Sequence, residues 1–314
     1  MSIRSEDNQR TLSHNPIVDD LEEVLESIRA LIQQAGDKPY VSVARQLQIL
    51  DELAAFELGR FMIQNKGWNG YWTHYVLTFP EKGRKTGLGY DGKPLTKMEN
   101  FILNEAPTVL ATQQRYRHFL VQNQQAVREC AVLACIPCGL MGELLYLDYS
   151  AVRDFRLVGI DIDRYALDAA RALAQSLKLD ENVELLQKDA WTLGLKNEFD
   201  LISSNGLNIY EPDNDKVTEL YRQFYLALKP GGKLVTSFWT YPPSHEEKCE
   251  WDLTKINTEA ALLDKIIFSD VLNGNWLCFR TYSEMHQQLT SVEFKSVKFI
   301  DDQARIFPTV VAMK

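Results

Sequence analysis

The residue types best suited to chemistry lie between Ala131 and Trp239. An apolar run, Ala131 to Cys135, ends in the small-residue turn Pro137-Cys138-Gly139, with Gly142 close behind. Twenty-two residues after Gly139, a second apolar run closes on Gly159-Ile160-Asp161. An acid about 20 residues past a tight glycine turn, at the tip of the next strand, is spaced to bind ribose hydroxyls. A third run leads to Asp189-Ala190-Trp191, a carboxylate and an indole that suit an adenine ring. The fourth, Phe199 to Ser203, opens into Asn205-Gly206-Leu207-Asn208-Ile209-Tyr210-Glu211. Polar residues at the carboxyl end of a strand face the crevice of an open sheet, so Asn205, Asn208, Tyr210 and Glu211 read as functional. Two clusters admit a second reading. Trp68, Tyr71, Trp72 and Tyr75 either pack the helical half onto the sheet or face a ligand. Cys135-Ile136-Pro137-Cys138 matches a redox C-x-x-C, but its place in the turn makes steric fit the better reason. The five histidines are scattered, with no pair at ligand spacing, so no metal site is expected.

These residues need elements to hold them. From about Asn15 to Val127 the pattern is helical. Leu21, Val24, Leu25, Ile28, Leu31 and Ile32 suggest one apolar stripe, and a second helical run covers Val43 to Asn65. The glycine-rich, basic stretch Glu81 to Pro94 reads as a loop, and helix resumes from Met98 to about Arg128 with a break near Pro107. The second half alternates strand and helix. Strands are expected at Ala131–Cys135, Leu157–Ile160, Val183–Leu186, Phe199–Ser203 and Gly232–Phe238, which implies a parallel, doubly wound sheet. Val297–Ile300 and Pro308–Ala312 complete it as an antiparallel pair at the edge. The expectation is an α/β chain, with a helical cap over residues 1–127 and a Rossmann-like domain of seven mostly parallel strands over 128–314.

Composition narrows the partners. The chain has 314 residues, 45% hydrophobic and 25% charged, which is ordinary for a globular protein. A net charge of −9 offers no broad basic face, so neither nucleic acid nor an anionic membrane is expected as a partner. There is no apolar run of about 18 residues, and the amino terminus MSIRSEDNQRTLSHN lacks the apolar core of a secretory signal. Five cysteines, an odd count, fit a reducing cytoplasm. A small-molecule substrate is the expected partner, and the oligomeric state stays open.

The order of these motifs, with the closing strand pair and the turn Leu228-Lys229-Pro230-Gly231-Gly232 before the fifth strand, resembles the class I S-adenosylmethionine (SAM)-dependent methyltransferases. The resemblance spans roughly residues 128 to 314. It implies that SAM is bound by Pro137, Cys138, Gly139 and Gly142, with Asp161 on the ribose, Asp189, Ala190 and Trp191 at the adenine, and Asn205 nearby. The chain departs from the family in its first turn, where Ala134 stands in place of an acid that helps to hold the cofactor's ammonium. Without that charge, a free α-amine with a pKa of about 8 loses its proton more readily.

A narrower resemblance rests on Gly70-Tyr71-Trp72-Thr73-His74-Tyr75, on Pro137 to Leu145 and on Asn205 to Glu211. These stretches look like a bacterial group with a helical cap that includes azetidine-2-carboxylate synthases. Such enzymes consume SAM itself: the α-amine attacks the γ-carbon and methylthioadenosine leaves. The resemblance implies an aromatic cage, including Tyr71 and Tyr75, around the sulfonium, with Asn205, Asn208 or Tyr210 orienting the amine. Two alternatives remain, a methyltransferase acting on a small acceptor and a SAM-binding protein without catalysis.

Overall fold

In the computed structural model, residues 20–274 and 278–314 are described. The polar amino terminus and the first residues of the expected helical half, Asn15 to Asp19, lie outside them.

Seven strands form where the apolar runs fall: β1 (Ala131–Cys135), β2 (Phe155–Asp161), β3 (Val183–Gln187), β4 (Phe199–Ser204), β5 (Leu228–Ser237), β6 (Lys295–Ile300) and β7 (Thr309–Met313). They build one sheet in the order β3-β2-β1-β4-β5-β7-β6. The first five are parallel, and β7 runs antiparallel between β5 and β6. Parallel neighbours need crossovers, supplied for example by helices Arg164–Ser176 and Asn214–Ala227. Successive side chains leave opposite faces of a strand. Ala134, Val158 and Ile202 therefore join one buried layer with Tyr221 and Phe224, while Leu133, Leu157 and Leu201 join the other with Phe119. Chain order reverses at β1 and β4, and a crevice is expected outside their carboxyl ends.

The turn expected at Leu228 to Gly232 instead opens β5, against a register shift in β4 between Phe199 and Leu201. Gly231 there has φ +76°, and a Cβ on Gly232 would lie 2.8 Å from the Lys229 carbonyl oxygen. The segment is a kinked strand start, and glycine is what the kink requires.

The chain divides into two compact units, neither of them contiguous. Among the described residues the sheet unit comprises 114–253 and 278–314, and the helical unit 20–113 and 254–274. This differs from the simple halves 1–127 and 128–314, and helix Pro107–Gln124 runs through the boundary. Helix Thr258–Lys265 and the π-helical turn Ile266–Val271 belong with the helical unit, where Ile266, Ile267, Val271 and Leu272 are buried in its core. In the first helix, Leu21–Ala35, Leu25, Ile28 and Ile32 face that core. Leu31 is 57% exposed, because ten residues at 3.6 per turn place it about 80° off the stripe.

The run Val43 to Asn65 splits into helices Val43–Ala54 and Glu57–Asn65 around an extended Phe56. A Cβ on Gly59 would lie 2.0 Å from the Leu53 carbonyl oxygen, so the close return of the chain depends on that glycine. Asn69 caps the aromatic helix Gly70–Thr78 by accepting from the Trp72 amide at 3.0 Å. The expected loop after it contains a short helix, Gly83–Thr86, and a bridge between Leu88 and Pro94.

Candidate functional site

The turn after β1 is pinned on both sides. The Ile136 amide donates to the Ser203 carbonyl at 2.8 Å, and the Cys138 amide to that of Ile160 at 2.9 Å. This brings Gly139, with φ +47°, onto the tip of β2, where its amide donates to Asp161 Oδ2 at 3.0 Å. The Asp163 amide donates to Asp161 Oδ1 at 3.0 Å. Asp161 is 6% exposed, and each of its oxygens takes a backbone amide. Gly159 makes the approach possible, since a Cβ there would sit 2.6 Å from Met141 Sδ. Pro137 lies in the pinned turn, and Gly142 opens the short helix Gly142–Leu145. The Cys135 and Cys138 thiols are buried, and desolvation, the largest cause, holds both well above the usual thiol range. They are inert packing groups.

At the end of β3, the Lys188 amide donates to the Asp161 carbonyl at 3.0 Å, which ties the adjoining segment to the same edge. The exposed Asp189 caps the turn Ala190–Thr192 through the Trp191 amide at 2.9 Å. Ala190 is buried, and the half-buried Trp191 donates its indole N–H to the Lys216 carbonyl at 3.0 Å. Asp161, Asp189, Ala190 and Trp191 thus share one edge.

Past β4, Gly206 takes φ +80°. The half-buried Asn205 has its Oδ1 buried without a hydrogen-bond partner. Asn208 is 1% exposed; its Nδ2 donates to the Tyr221 hydroxyl at 2.9 Å, and its Oδ1 lacks a partner. Burial raises the Tyr210 pKa, against the opposing pull of Arg115. The Glu211 carboxylate accepts from the Asp213 amide at 2.9 Å and pairs with Lys216 at 3.6 Å, which makes it part of the turn's own scaffold. Arg280, buried at 2% exposure, donates to the carbonyls of Asn208 and Glu211 at 2.9 and 2.6 Å and fixes that turn.

Two further residues escape the sequence pattern. Glu143, in helix Gly142–Leu145, is buried and accepts from Ser203 Oγ at 2.9 Å and Cys135 Sγ at 3.3 Å. Burial raises its pKa, while hydrogen bonds led by that from Asn205 oppose the rise. Ala134, by contrast, is fully buried in the core. Although Ala134 leaves its own position without an acid, a carboxylate stands beside Asn205 and Ser203, supplied by Glu143. An acid inside the apolar run Gly142-Glu143-Leu144-Leu145 was its only signal. The second residue is Arg115, 5% exposed, with its guanidinium carbon 4.3 Å over the centre of the Phe307 ring. Nothing in its sequence surroundings marks it.

Tyr71 and Tyr75 belong to the helical unit. Trp72 packs edge-on against Tyr71, Tyr75 and Tyr90, with ring centres 5.7, 5.6 and 5.0 Å away. Trp68 packs against Phe268 at 6.1 Å. Tyr71 donates to the Tyr90 hydroxyl at 3.0 Å. Burial, then Tyr90, pushes the Tyr71 pKa up to about 12, and burial followed by Glu99 raises that of Tyr75. These rings pack on one another. Among the described residues, no group of three or more His, Cys, Asp or Glu could hold a metal ion, and no helix is long and apolar enough to cross a membrane.

The sheet order and this edge define a methyltransferase-fold unit, and residues 136–232 match the methyltransferase domain family. The chain belongs to the same family as a possible exported protein from Bordetella parapertussis, whose crystal structure is 41% identical over 94% of this chain and 95% of that one, with a TM-score of 0.86. A sterol 24-C-methyltransferase from Debaryomyces hansenii is 25% identical over 137 residues, 43% of this chain. One from Clavispora lusitaniae matches to the same extent. The chain spans 35% of the length of each of these two curated relatives.

Proposed function

We propose that the protein consumes SAM by closing its methionine chain to azetidine-2-carboxylate, with release of methylthioadenosine. The observation that carries this reading is the buried Glu143 carboxylate beside Asn205, at the carboxyl edge shared with Asp161. Bound SAM supplies the electrophilic carbon and the leaving sulfur. Asp161 anchors the ribose, while Asp189 and Trp191 flank the adenine. Asn205 Oδ1, buried and unpaired, accepts from the α-amine and orients its lone pair toward the γ-carbon. Glu143 takes the proton the amine gives up, since burial makes a carboxylate a stronger base than it is in water. Asn208 and Tyr210 shape the turn behind the amine.

Incubation with SAM alone tests the reading. Mass spectrometry should show methylthioadenosine and azetidine-2-carboxylate in equal amounts, and kcat should rise with pH through the amine's pKa before levelling off. Ala134→Asp would bury a new carboxylate in the core, so Glu143→Gln is the sharper variant: turnover should fall more than SAM affinity. The second reading, methyl transfer to a small acceptor, is favoured by the methyltransferase-domain match over residues 136–232. It stands if SAM alone yields no methylthioadenosine and an added small molecule becomes methylated. In either case the proposed setting is the cytoplasm, in keeping with five free cysteines, with a small molecule as the partner. Hydrogen exchange at residues 68–75 that slows when SAM is added would give the helical unit its capping role.

A further inference from the structure

We infer that Arg115 is the carboxylate-binding residue of this protein and holds the α-carboxylate of SAM, an inference that rests on the SAM reading above. Arg115 lies in helix Pro107–Gln124 and is 5% exposed, yet its Nε and Nη1 are buried without hydrogen-bond partners. Burying a cation without partners for its N–H groups is costly, and such groups are retained where something else completes them. Desolvation, the largest cause, pulls its pKa down to about 10, so the guanidinium remains charged at neutral pH. It calls for an anion.

The chain's own acids nearby are already committed. Asp302 accepts from the amides of Ala304, Ile306 and Phe307 at 3.0, 3.2 and 2.6 Å. Glu143 accepts from Ser203 and Cys135. Both attract Arg115 electrostatically while their oxygens serve other donors. On the other side lies the turn after β4. A Cβ placed on Gly206 would come within 3.4 Å of Nη1, so the guanidinium lies directly against this turn.

Position selects the ligand. Gly206 lies three residues past Ser203, which pairs with Cys135 at the end of β1. Arg115 therefore sits at the edge where Gly139 and Asp161 receive the nucleoside. The only carboxylate in SAM is on its methionine end. Arg115 for the carboxylate, with Glu143 and Asn205 for the amine, would read both poles of an α-amino acid. The site should then reject decarboxylated SAM.

The test compares S-adenosylhomocysteine with methylthioadenosine, which lacks both poles, by calorimetry on the full-length protein. Arg115→Met should weaken S-adenosylhomocysteine about 10- to 100-fold, the range for charge-assisted hydrogen bonds, and change methylthioadenosine less than about threefold. Arg115→Lys should recover part of the loss, because it restores charge without the planar donors. Equal weakening of both ligands would make Arg115 merely structural and overturn the inference. Unchanged S-adenosylhomocysteine binding, with a raised KM for a carboxylate-bearing acceptor, would overturn it in favour of the acceptor. If the methionine variant does not fold, the wild-type protein still decides: it should bind S-adenosylhomocysteine at least tenfold more tightly than the decarboxylated analogue, and equal affinities would refute the assignment. Wild-type protein that binds neither S-adenosylhomocysteine nor methylthioadenosine would overturn the SAM reading itself and this inference with it.

Discussion

The sheet unit and the helical unit bury polar groups to different ends. In the helical unit the buried Asp264 accepts from the Thr108 amide and hydroxyl at 2.8 to 2.9 Å, while Asp270 gives one oxygen to Lys38 and keeps the other buried and unpaired. Polar atoms left unpaired there include the Trp68 indole N–H and the Tyr75 hydroxyl, both neutral and both set among aromatic rings. In the sheet unit the unpaired atoms include two nitrogens of a guanidinium and the amide oxygens of Asn205 and Asn208, near the carboxyl end of β4. An unpaired neutral donor costs about 1–3 kcal/mol and a charged one more. On the proposed reading, the contrast separates polar atoms left among packed aromatic rings from a cationic and amide cluster that a ligand would complete.

Four experiments break or sharpen that contrast. The largest effect is expected from Ile267→Ala, which empties a fully buried position in the helical core. It should cost about 2–5 kcal/mol of stability in denaturant titrations and leave S-adenosylhomocysteine affinity in the surviving native protein unchanged. A matching loss of affinity would blur the two units. Next, Asp161→Ala removes two acceptors at the β2 tip and should weaken SAM by about 2–3 kcal/mol. Calorimetry that finds the affinity intact would take the ribose away from Asp161.

The third effect is one of pH. Burial, then Lys82, lowers the pKa of His74 to about 4, against about 6.5 for an unperturbed imidazole. Between these values the unfolded chain binds a proton that the native protein refuses, so stability falls as pH drops through that window and is fully present above it. The loss should be on the order of 2–3 kcal/mol, and His74→Gln should flatten the slope. The smallest change is Tyr71→Phe. It removes one hydroxyl contact, to Tyr90 at 3.0 Å, on a side chain that is 43% exposed. Stability should move by less than about 1 kcal/mol. If Tyr71 meets the sulfonium, Tyr71→Ala should lower kcat well beyond any change in SAM affinity.

The sheet was legible because strand periodicity and glycine punctuation are local signals: β1 falls on the residues its apolar run marks, and Gly139 meets Asp161 through a spacing that can be counted. What stayed hidden depends on contacts between distant positions. Gly59 lets the second helix pack back on Leu53, six residues away in the chain but in the preceding helix. Glu143 looks like an ordinary helical acid until Ser203 and Cys135 close over it. Arg115 is one of two arginines in a helix of mixed polarity, and only the fold shows that it is buried. The aromatic stretch Trp68 to Tyr75 carried a strong signal with two meanings, and its rings satisfy the packing one directly.

The composition of the helical unit bears on how the chain matures. Part of its core comes from Ile266, Ile267, Val271 and Leu272, which leave the ribosome about 150 residues after the rest, once most of the sheet unit's strands have been made. The amino-terminal helices must therefore wait, partly uncovered, while β1 to β5 are synthesised. During that interval the face of helix Val43–Ala54 that packs on Ile266–Val271 stays uncovered. Any shortened chain that ends before residue 274 would keep it so.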